Sequence, residues 1–250
     1  MLSKARIKYM KSLQLKKHRD REGVFLVEGE KSVLEFINSK CKVQSIFGTD
    51  DFITNHRSLL EQKYIEFETI TEDTLTSIGT YQSNNAALAI VDQPKVAEIA
   101  FEAGVYILAL DNINDPGNLG TIVRLADWYG IRTILLSLNS TDVYNSKTVN
   151  ASKGSLSRIQ VHYVDLASVL ADYRGTIYTA LLDGENIHKV KFRKGGIVLM
   201  GNESHGVSKD LLKITHHKIT IPRVGEAESL NVAMATAIIC DNICRCTEII

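Results

Sequence analysis

Residues 195–231 read GGIVLMGNESHGVSKDLLKITHHKITIPRVGEAESLN, and this stretch decides the fold that the sequence predicts. Ile197–Met200 is a short apolar run that ends at Gly201, which is typical of a buried parallel strand entering a turn. Lys218–Pro222 repeats the pattern and is followed by a second polar loop. Polar loops at the ends of two such strands predict the functional site of an open α/β sheet.

A third strand and loop stand earlier in the chain. The apolar run Val105–Leu110 is followed by the loop 111–118, in which the Pro-Gly pair forces a turn. Asn118 is predicted as the N-cap of an amphipathic helix, and Ser208 and Ser229 as the caps of the helices after the other two loops.

Strand and helix patterns alternate along the whole chain, which predicts the α/β class. Residues 1–92 read as a small α/β domain, and the weakly periodic residues 93–103 read as a linker. Residues 104–250 are predicted to form a second domain around a mostly parallel sheet.

Composition excludes several classes of protein. A chain of 250 residues that is 44% hydrophobic and contains three prolines is neither disordered nor fibrous. No window approaches the roughly 18 apolar residues of a membrane span, and the N-terminus lacks the apolar core of a signal peptide, so we expect a cytoplasmic protein. Three of the four cysteines lie in the last predicted helix without zinc-site spacing, so we expect no metal.

Charge is balanced overall, with 29 basic and 29 acidic residues, but it is unevenly distributed. Residues 1–21 hold eight Lys or Arg against one Asp, a local charge of 8 − 1 = +7. Such a segment suits contacts with the phosphates of a nucleic acid, although a solvated terminus explains the charges equally well. The candidates for these contacts are Lys16, Lys17, Arg19 and Arg21.

Common nucleotide and hydrolase motifs are absent from the sequence. No G-x-G-x-x-G follows a strand, and Val207 stands where a phosphate-binding loop needs lysine, which argues against ATPase or GTPase activity. No G-x-S-x-G elbow is present, so Ser204 and Ser229 do not indicate a hydrolase.

Three segments together resemble one family closely. NDPGNLGTIVRLADWYG (114–130), VLMGNESHGVS (198–208) and IPRVGEAESLNVAMATAI (221–238) are similar to the motifs of the SpoU (TrmH-type) RNA 2′-O-ribose methyltransferases. RDREGVFLVEGEKSVLEF (19–36) is similar to the L30e-like substrate-binding domain that precedes the catalytic domain in that family.

The resemblance implies a C-terminal sheet with a deep trefoil knot (the SPOUT fold), S-adenosylmethionine as cofactor, RNA as substrate and a homodimer. It implies that Arg124 is catalytic and acts at the ribose 2′-hydroxyl. An isolated helical Arg124 would instead pair with Asp127, three residues on. The other catalytic positions implied by the motifs are Asn118, Glu203, Ser229 and Asn231.

The cofactor is expected at the loop edges, mostly against backbone. The positions chosen are Met200, Gly201, Ile221 and Leu230. Arg223 is a further candidate for an RNA phosphate contact, with an ordinary surface arginine as the equal alternative.

The L30e-like front half favours 23S ribosomal RNA as the substrate, by analogy of fold. The alternatives are a tRNA ribose methyltransferase, a non-catalytic RNA-binding or ribosome-assembly protein with the same fold, and a small-molecule transferase. The complete set of motif residues argues against the second alternative, and the basic N-terminus with its own domain argues against the third.

Overall fold

A computed structural model describes residues 2–95 and 97–247, and the chain forms two compact units. The first comprises Met1–Lys95 and Asp142–Ser157, and the second comprises Val96–Thr141 and Arg158–Ile250. Residues 142–157 thus group with the first unit, although the sequence pattern assigned them to the second domain. The predicted bounds of 1–92, 93–103 and 104–250 stay a prediction.

The first unit is built on a four-stranded sheet in the order β1-β4-β2-β3. Strand β4 is antiparallel to both β1 and β2, and β2 is parallel to β3. Its elements are α1 (Lys4–Ser12), α2 (Lys16–Glu22), β1 (Val24–Glu28), α3 (Glu30–Ile37), β2 (Val43–Gly48), α4 (Asp50–Gln62), β3 (Glu66–Thr69), α5 (Glu72–Ile78), β4 (Ala87–Asp92) and, from later in the chain, α7 (Ser146–Ser152) with a 3-10 turn at Ser155–Ser157.

The second unit is built on a six-stranded sheet in the order β10-β8-β9-β5-β6-β7, in which every neighbouring pair is parallel. Its elements are β5 (Tyr106–Leu110), α6 (Pro116–Trp128), β6 (Thr133–Ser137), β7 (Gln160–Val164), α8 (Leu166–Ala171), β8 (Ile177–Asn186), β9 (Gly196–Met200), α9 (Lys209–Lys213), β10 (His217–Thr220) and α10 (Val232–Thr247). The central strands β5 and β9 are buried throughout, as their continuous apolar sequences predict. The predicted α/β class and parallel second sheet are confirmed.

The basic N-terminus is folded into the first unit. It forms α1 and α2, and the side chains of Met10 and Leu13 are almost fully buried in the core with Leu75 and Leu88. The segment therefore contributes apolar packing as well as charge.

Arg19 has a structural role that contradicts its predicted contact with RNA. Only 2% of the residue is exposed, and its guanidinium donates to the carbonyls of Leu13 and Gln14 at 2.9 and 2.8 Å. It also forms an ion pair of 2.5 Å with Asp142, which ties residues 142–157 to α2. A guanidinium used in this way cannot reach an RNA phosphate, so this prediction was wrong.

Replacing Met10 with alanine should destabilise the first unit. The side chain is fully buried, and truncating a buried Met costs about 2 to 5 kcal/mol of unfolding free energy. Denaturant titration followed by circular dichroism would measure the change. The matched control is Lys11→Ala, which removes an exposed side chain from the same helix and should change stability by less than about 0.5 kcal/mol. Equal stability of the two variants would contradict the packing role of α1.

Candidate active site

The loops after β5, β9 and β10 meet at the carboxyl edge of the second sheet. Strands β5 and β9 are paired in register from Tyr106 with Gly196 to Leu110 with Met200, so their following loops start side by side. The Asp111 amide continues the pairing by donating to the Met200 carbonyl at 2.9 Å. This is the edge at which an open parallel sheet builds its site.

One hydrogen-bond chain joins the three sequence motifs. Asn118 donates from Nδ2 to Oε1 of Glu203 at 2.5 Å, and its Oδ1 accepts from Nδ2 of Asn231 at 2.9 Å. The amide of Asn118 thus bridges residues that lie 85 and 113 positions away in the sequence. The structure brings together three of the five predicted catalytic positions.

Two helix caps differ from their predictions. The N-cap of α6 is Asp115, whose Oδ1 accepts from the Asn118 amide at 2.7 Å, so the side chain of Asn118 is left for Glu203 and Asn231. At α10 the cap is Asn231, whose Oδ1 accepts from the amides of residues 233 and 234. Ser229 lies two residues too early to cap this helix, and it lines the cavity described below.

Arg124 lies on α6, six residues beyond Asn118, which is about 9 Å along the helix axis. The residue is exposed, and its guanidinium makes no hydrogen bond or ion pair with any residue that the structure describes. The alternative partner Asp127 instead binds Arg158 through a side-chain contact of 2.8 Å. Arg124 is thus outside the hydrogen-bond chain, and its guanidinium is available to an external ligand.

A cavity of about 420 Å³ lies beside the hydrogen-bond chain and includes Glu203 in its wall. Volumes of this order are typical of small-molecule sites, and most of the wall is apolar with a few polar groups. All four predicted cofactor positions line it, namely Met200, Gly201, Ile221 and Leu230. The apolar side includes Ile219, Val232, Ala235 and Ile239.

The loop after β9 is held by two residues to which the sequence analysis gave no role. Asp111 is 3% exposed, and its Oδ2 accepts from the Ser208 amide at 2.8 Å. Asn202 donates from Nδ2 to the Asn112 carbonyl at 2.7 Å, and its Oδ1 accepts from the Ser204 amide at 2.8 Å. The available signal in the sequence was an Asp directly after the apolar run Val105–Leu110, because a carboxylate at the end of a buried strand needs donors nearby.

Gly201 permits a close backbone approach in the cavity wall. A Cβ at this position would meet the backbone of Gly206 and lie 2.5 Å from the Val207 nitrogen. A glycine at this position thus lets the loop 201–208 fold tightly beside the space that an adenosyl group would fill, so the residues present fit the implied cofactor.

Replacing Gly201 with alanine should therefore weaken binding of S-adenosylmethionine at least about 10-fold, measured by isothermal titration calorimetry, since backbone must move to admit the methyl group. Gly225→Ala is the matched control, because Gly225 lines the same cavity and a Cβ there has nothing within 4 Å. Similar affinities of the two variants would contradict the assignment of the cavity wall.

The remaining predicted RNA contacts are surface residues. Lys16, Lys17 and Arg21 are exposed on α2, and Arg21 also contacts Glu22 at 2.8 Å. Arg223 lines the cavity, and its guanidinium donates to the Ala227 carbonyl at 3.1 Å, which closes its own loop.

The cysteines of α10 do not form a metal site among the described residues, which contain no group of three or more His, Cys, Asp or Glu that could hold an ion. Burial raises the pKa of the Cys240 thiol to about 12, which makes it an unreactive packing residue. Within residues 2–95 and 97–247, no helix has both the length and the apolar character needed to cross a membrane.

Comparison with known proteins agrees with this geometry. A family model described as the SpoU rRNA methylase family matches residues 105–241, and one described as an MRM3-like substrate binding domain matches residues 4–89. The chain is 32% identical over 238 residues to the 23S rRNA (guanosine(2553)-2′-O)-methyltransferase RlmP of Bacillus subtilis, a match that covers 94% of each protein.

Two further proteins are similar over most of the chain. A 23S rRNA (uridine(2479)-2′-O)-methyltransferase of Streptomyces viridochromogenes is 28% identical over 88% of this chain and 83% of that protein. The crystal structure of an AdoMet-bound rRNA methyltransferase from Sinorhizobium meliloti has a TM-score of 0.87 at 27% identity, covering 98% of this chain and 96% of the other. Since the family model matches more than half of the chain, and a relative above 30% identity matches nearly all of it, the chain belongs to the SpoU rRNA methylase family.

Proposed function

We propose that this protein transfers a methyl group from S-adenosylmethionine to the ribose 2′-oxygen of a nucleotide in 23S ribosomal RNA. The observation that carries the proposal is the position of Glu203, which lines the cavity and also binds Asn118 in the hydrogen-bond chain. A space suited to the cofactor therefore adjoins the motif residues. Named relatives that modify 23S RNA support the choice of substrate.

When bound, S-adenosylmethionine supplies a methyl group activated by its sulfonium. Arg124 is the candidate for orienting the 2′-oxygen, since its guanidinium is exposed and makes no ion pair with a described residue. An arginine is a poor base because its guanidinium stays protonated in proteins, so we assign the removal of the hydroxyl proton to an RNA phosphate. Asn118 and Asn231 hold the start of α6, the Glu203 loop and the start of α10 together around the reacting groups.

The direct test is transfer of tritium from methyl-labelled S-adenosylmethionine to unmodified transcripts of the host 23S RNA and of its transfer RNAs. Mapping of 2′-O-methyl positions in RNA from cells with and without the gene would then identify the nucleotide. Labelling of transfer RNA alone would overturn the assigned substrate. Absence of labelling in every RNA would favour a non-catalytic RNA-binding protein.

The RNA contacts proposed in the first unit are the exposed cations Lys16, Lys17 and Arg21. Neutralising all three to glutamine should weaken RNA binding and reduce the slope of log affinity against log salt by about 0.7 to 0.9 per lost phosphate contact. Filter binding at several KCl concentrations measures both quantities. Deleting residues 1–21 is a poorer test, because it also removes Met10 and Leu13 from the core.

The trefoil knot and the homodimer are also part of the proposal. The paired strands β8 and β10 approach closely where their register shifts, since a Cβ at Gly184 would lie 2.7 Å from the Ile219 carbonyl carbon, and such an irregular pairing is compatible with a knot. Trp128 on α6 and Met234 on α10 are 81% and 59% exposed, as apolar residues of a subunit interface would be in a single chain. Sedimentation of the purified protein tests the dimer. A cytoplasmic location stays a prediction.

A further inference from the structure

The connection between β8 and β9, residues 187–195, runs from the carboxyl end of β8 back to the amino end of β9. Adjacent parallel strands start at the same edge, so the chain must return between them. The Ile187 amide donates to the carbonyl of Thr220, a residue of the cavity wall, at 3.0 Å. At the far end the Arg193 amide donates to the hydroxyl of Tyr178, near the start of β8, at 2.9 Å. This connection, called the crossover below, therefore begins beside the cavity and leads to the amino ends of the strands.

Apolar side chains fix this crossover to the unit and leave its cations outside. Val190 and Phe192 are 7% and 8% exposed, and the Phe192 ring packs on Tyr178 with centroids 4.9 Å apart. The residues between and around them are exposed and basic. We define the crossover cations as Lys189, Lys191, Arg193 and Lys194.

The crossover cations form a local excess of positive charge. None of the four makes an ion pair with a residue in the described part of the chain, and the sequence contains no Asp or Glu between Glu185 and Glu203. Four like charges on a short segment repel one another, and an external polyanion relieves that repulsion.

We propose that the crossover cations form an RNA-binding surface of the second unit that holds the phosphates of the strand leading away from the cavity. The proposal rests on the proposed function and adds a part of the RNA path to it. The partner is a phosphate backbone, because a run of closely spaced exposed cations neutralises successive phosphates whatever the sequence of bases. The start of the crossover beside Thr220 places this path next to the cavity.

The test compares the parent protein with Lys189→Gln/Lys191→Gln/Arg193→Gln. Substitution leaves Val190, Phe192 and the backbone contact of Arg193 in place, so we expect an unchanged melting temperature and unchanged affinity for S-adenosylmethionine. Affinity for an unmodified 23S transcript should fall at least about 10-fold near physiological salt. Its salt slope should decrease by about 2 to 3, from roughly 0.7 to 0.9 for each of three phosphate contacts.

The matched control is Lys40→Gln/Lys63→Gln/Lys95→Gln, which removes the same charge from exposed positions of the first unit. A salt slope unchanged from the parent in the crossover variant would overturn the inference. An equal loss in the control variant would also overturn it, since the crossover would then bind RNA no better than other exposed lysines of the chain do. Failure of the parent itself to bind RNA above a neutral protein would instead refute the proposed function, so the two failures are distinguishable.

Discussion

Replacing Arg124 with alanine should lower the rate of methyl transfer by at least about 10²- to 10³-fold while leaving the affinity for S-adenosylmethionine within about twofold. Losing a single preorganised donor to a developing oxyanion costs this much in other enzymes. The guanidinium makes no hydrogen bond to a described residue, and Arg124 is not among the residues that line the cavity. In the proposed mechanism its loss removes an interaction with the 2′-oxygen, while the wall of the cavity stays intact. Single-turnover transfer of labelled methyl to RNA and calorimetric titration of the cofactor measure the two quantities.

Two variants separate the chemistry of Arg124 from its charge and position. Arg124→Lys keeps a positive charge but loses the planar pair of donors, so we expect it to recover only part of the rate. Arg132→Ala removes another exposed arginine close after the same helix and should leave the rate unchanged. Turnover of Arg124→Ala within twofold of the parent would remove this residue from the mechanism.

The proton assignment for Arg124 can also be tested with the lysine variant. If residue 124 removed the hydroxyl proton, the rate of Arg124→Lys would rise with pH towards the ordinary lysine pKa of about 10.4. If the residue only orients the 2′-oxygen, the pH profiles of the variant and the parent should run parallel between about pH 7 and 9. A rise confined to the variant would reassign the base.

The site was more predictable from the sequence than the first unit was. Three loops that follow apolar runs had to meet at one sheet edge, and the Glu203, Asn118 and Asn231 side chains do so. The cap of α6 could also have been found, because proline at the first helical position marks the residue before it, Asp115, as the cap. The helix caps and the site residues are both small polar residues, such as Asp115 and Asn118. Residue type alone therefore did not show which of them caps the helix.

The position of Arg19 could not be predicted from its neighbours. Its burial depends on Asp142, which is 123 residues away in the sequence and reaches the first unit only because residues 142–157 join it. The Tyr144 ring, 4.7 Å from Phe25, is part of the same packing. Local charge density predicts an exposed cation, whereas a long-range partner decides which member of the cluster is buried.

The second large effect is expected at Asn118. Alanine at this position removes both the donor to Glu203 and the acceptor for Asn231, so the three loops lose their common link. We expect about a 10²-fold lower rate of transfer.

Asn231→Asp separates this link from helix capping, because aspartate still accepts from the first amides of α10 but cannot donate to Asn118. A rate near the parent's in Asn231→Asp would limit Asn231 to its role as a cap.

Exchanging the charged and the amide side chain between positions 118 and 203 tests whether the hydrogen bond between these two residues matters. Asn118→Asp alone should be less active than Asn118→Ala, because a second carboxylate would face Glu203 at the present 2.5 Å contact. Adding Glu203→Gln restores a donor on the opposite side, and the aspartate introduced at position 118 can still accept from Asn231. The double variant carries one negative charge across the two positions, as the parent does. It should therefore be at least about 10-fold more active than Asn118→Asp. If the two substitutions instead combine additively, measured as kcat/KM for RNA in a double-mutant cycle, the two side chains do not act through their contact.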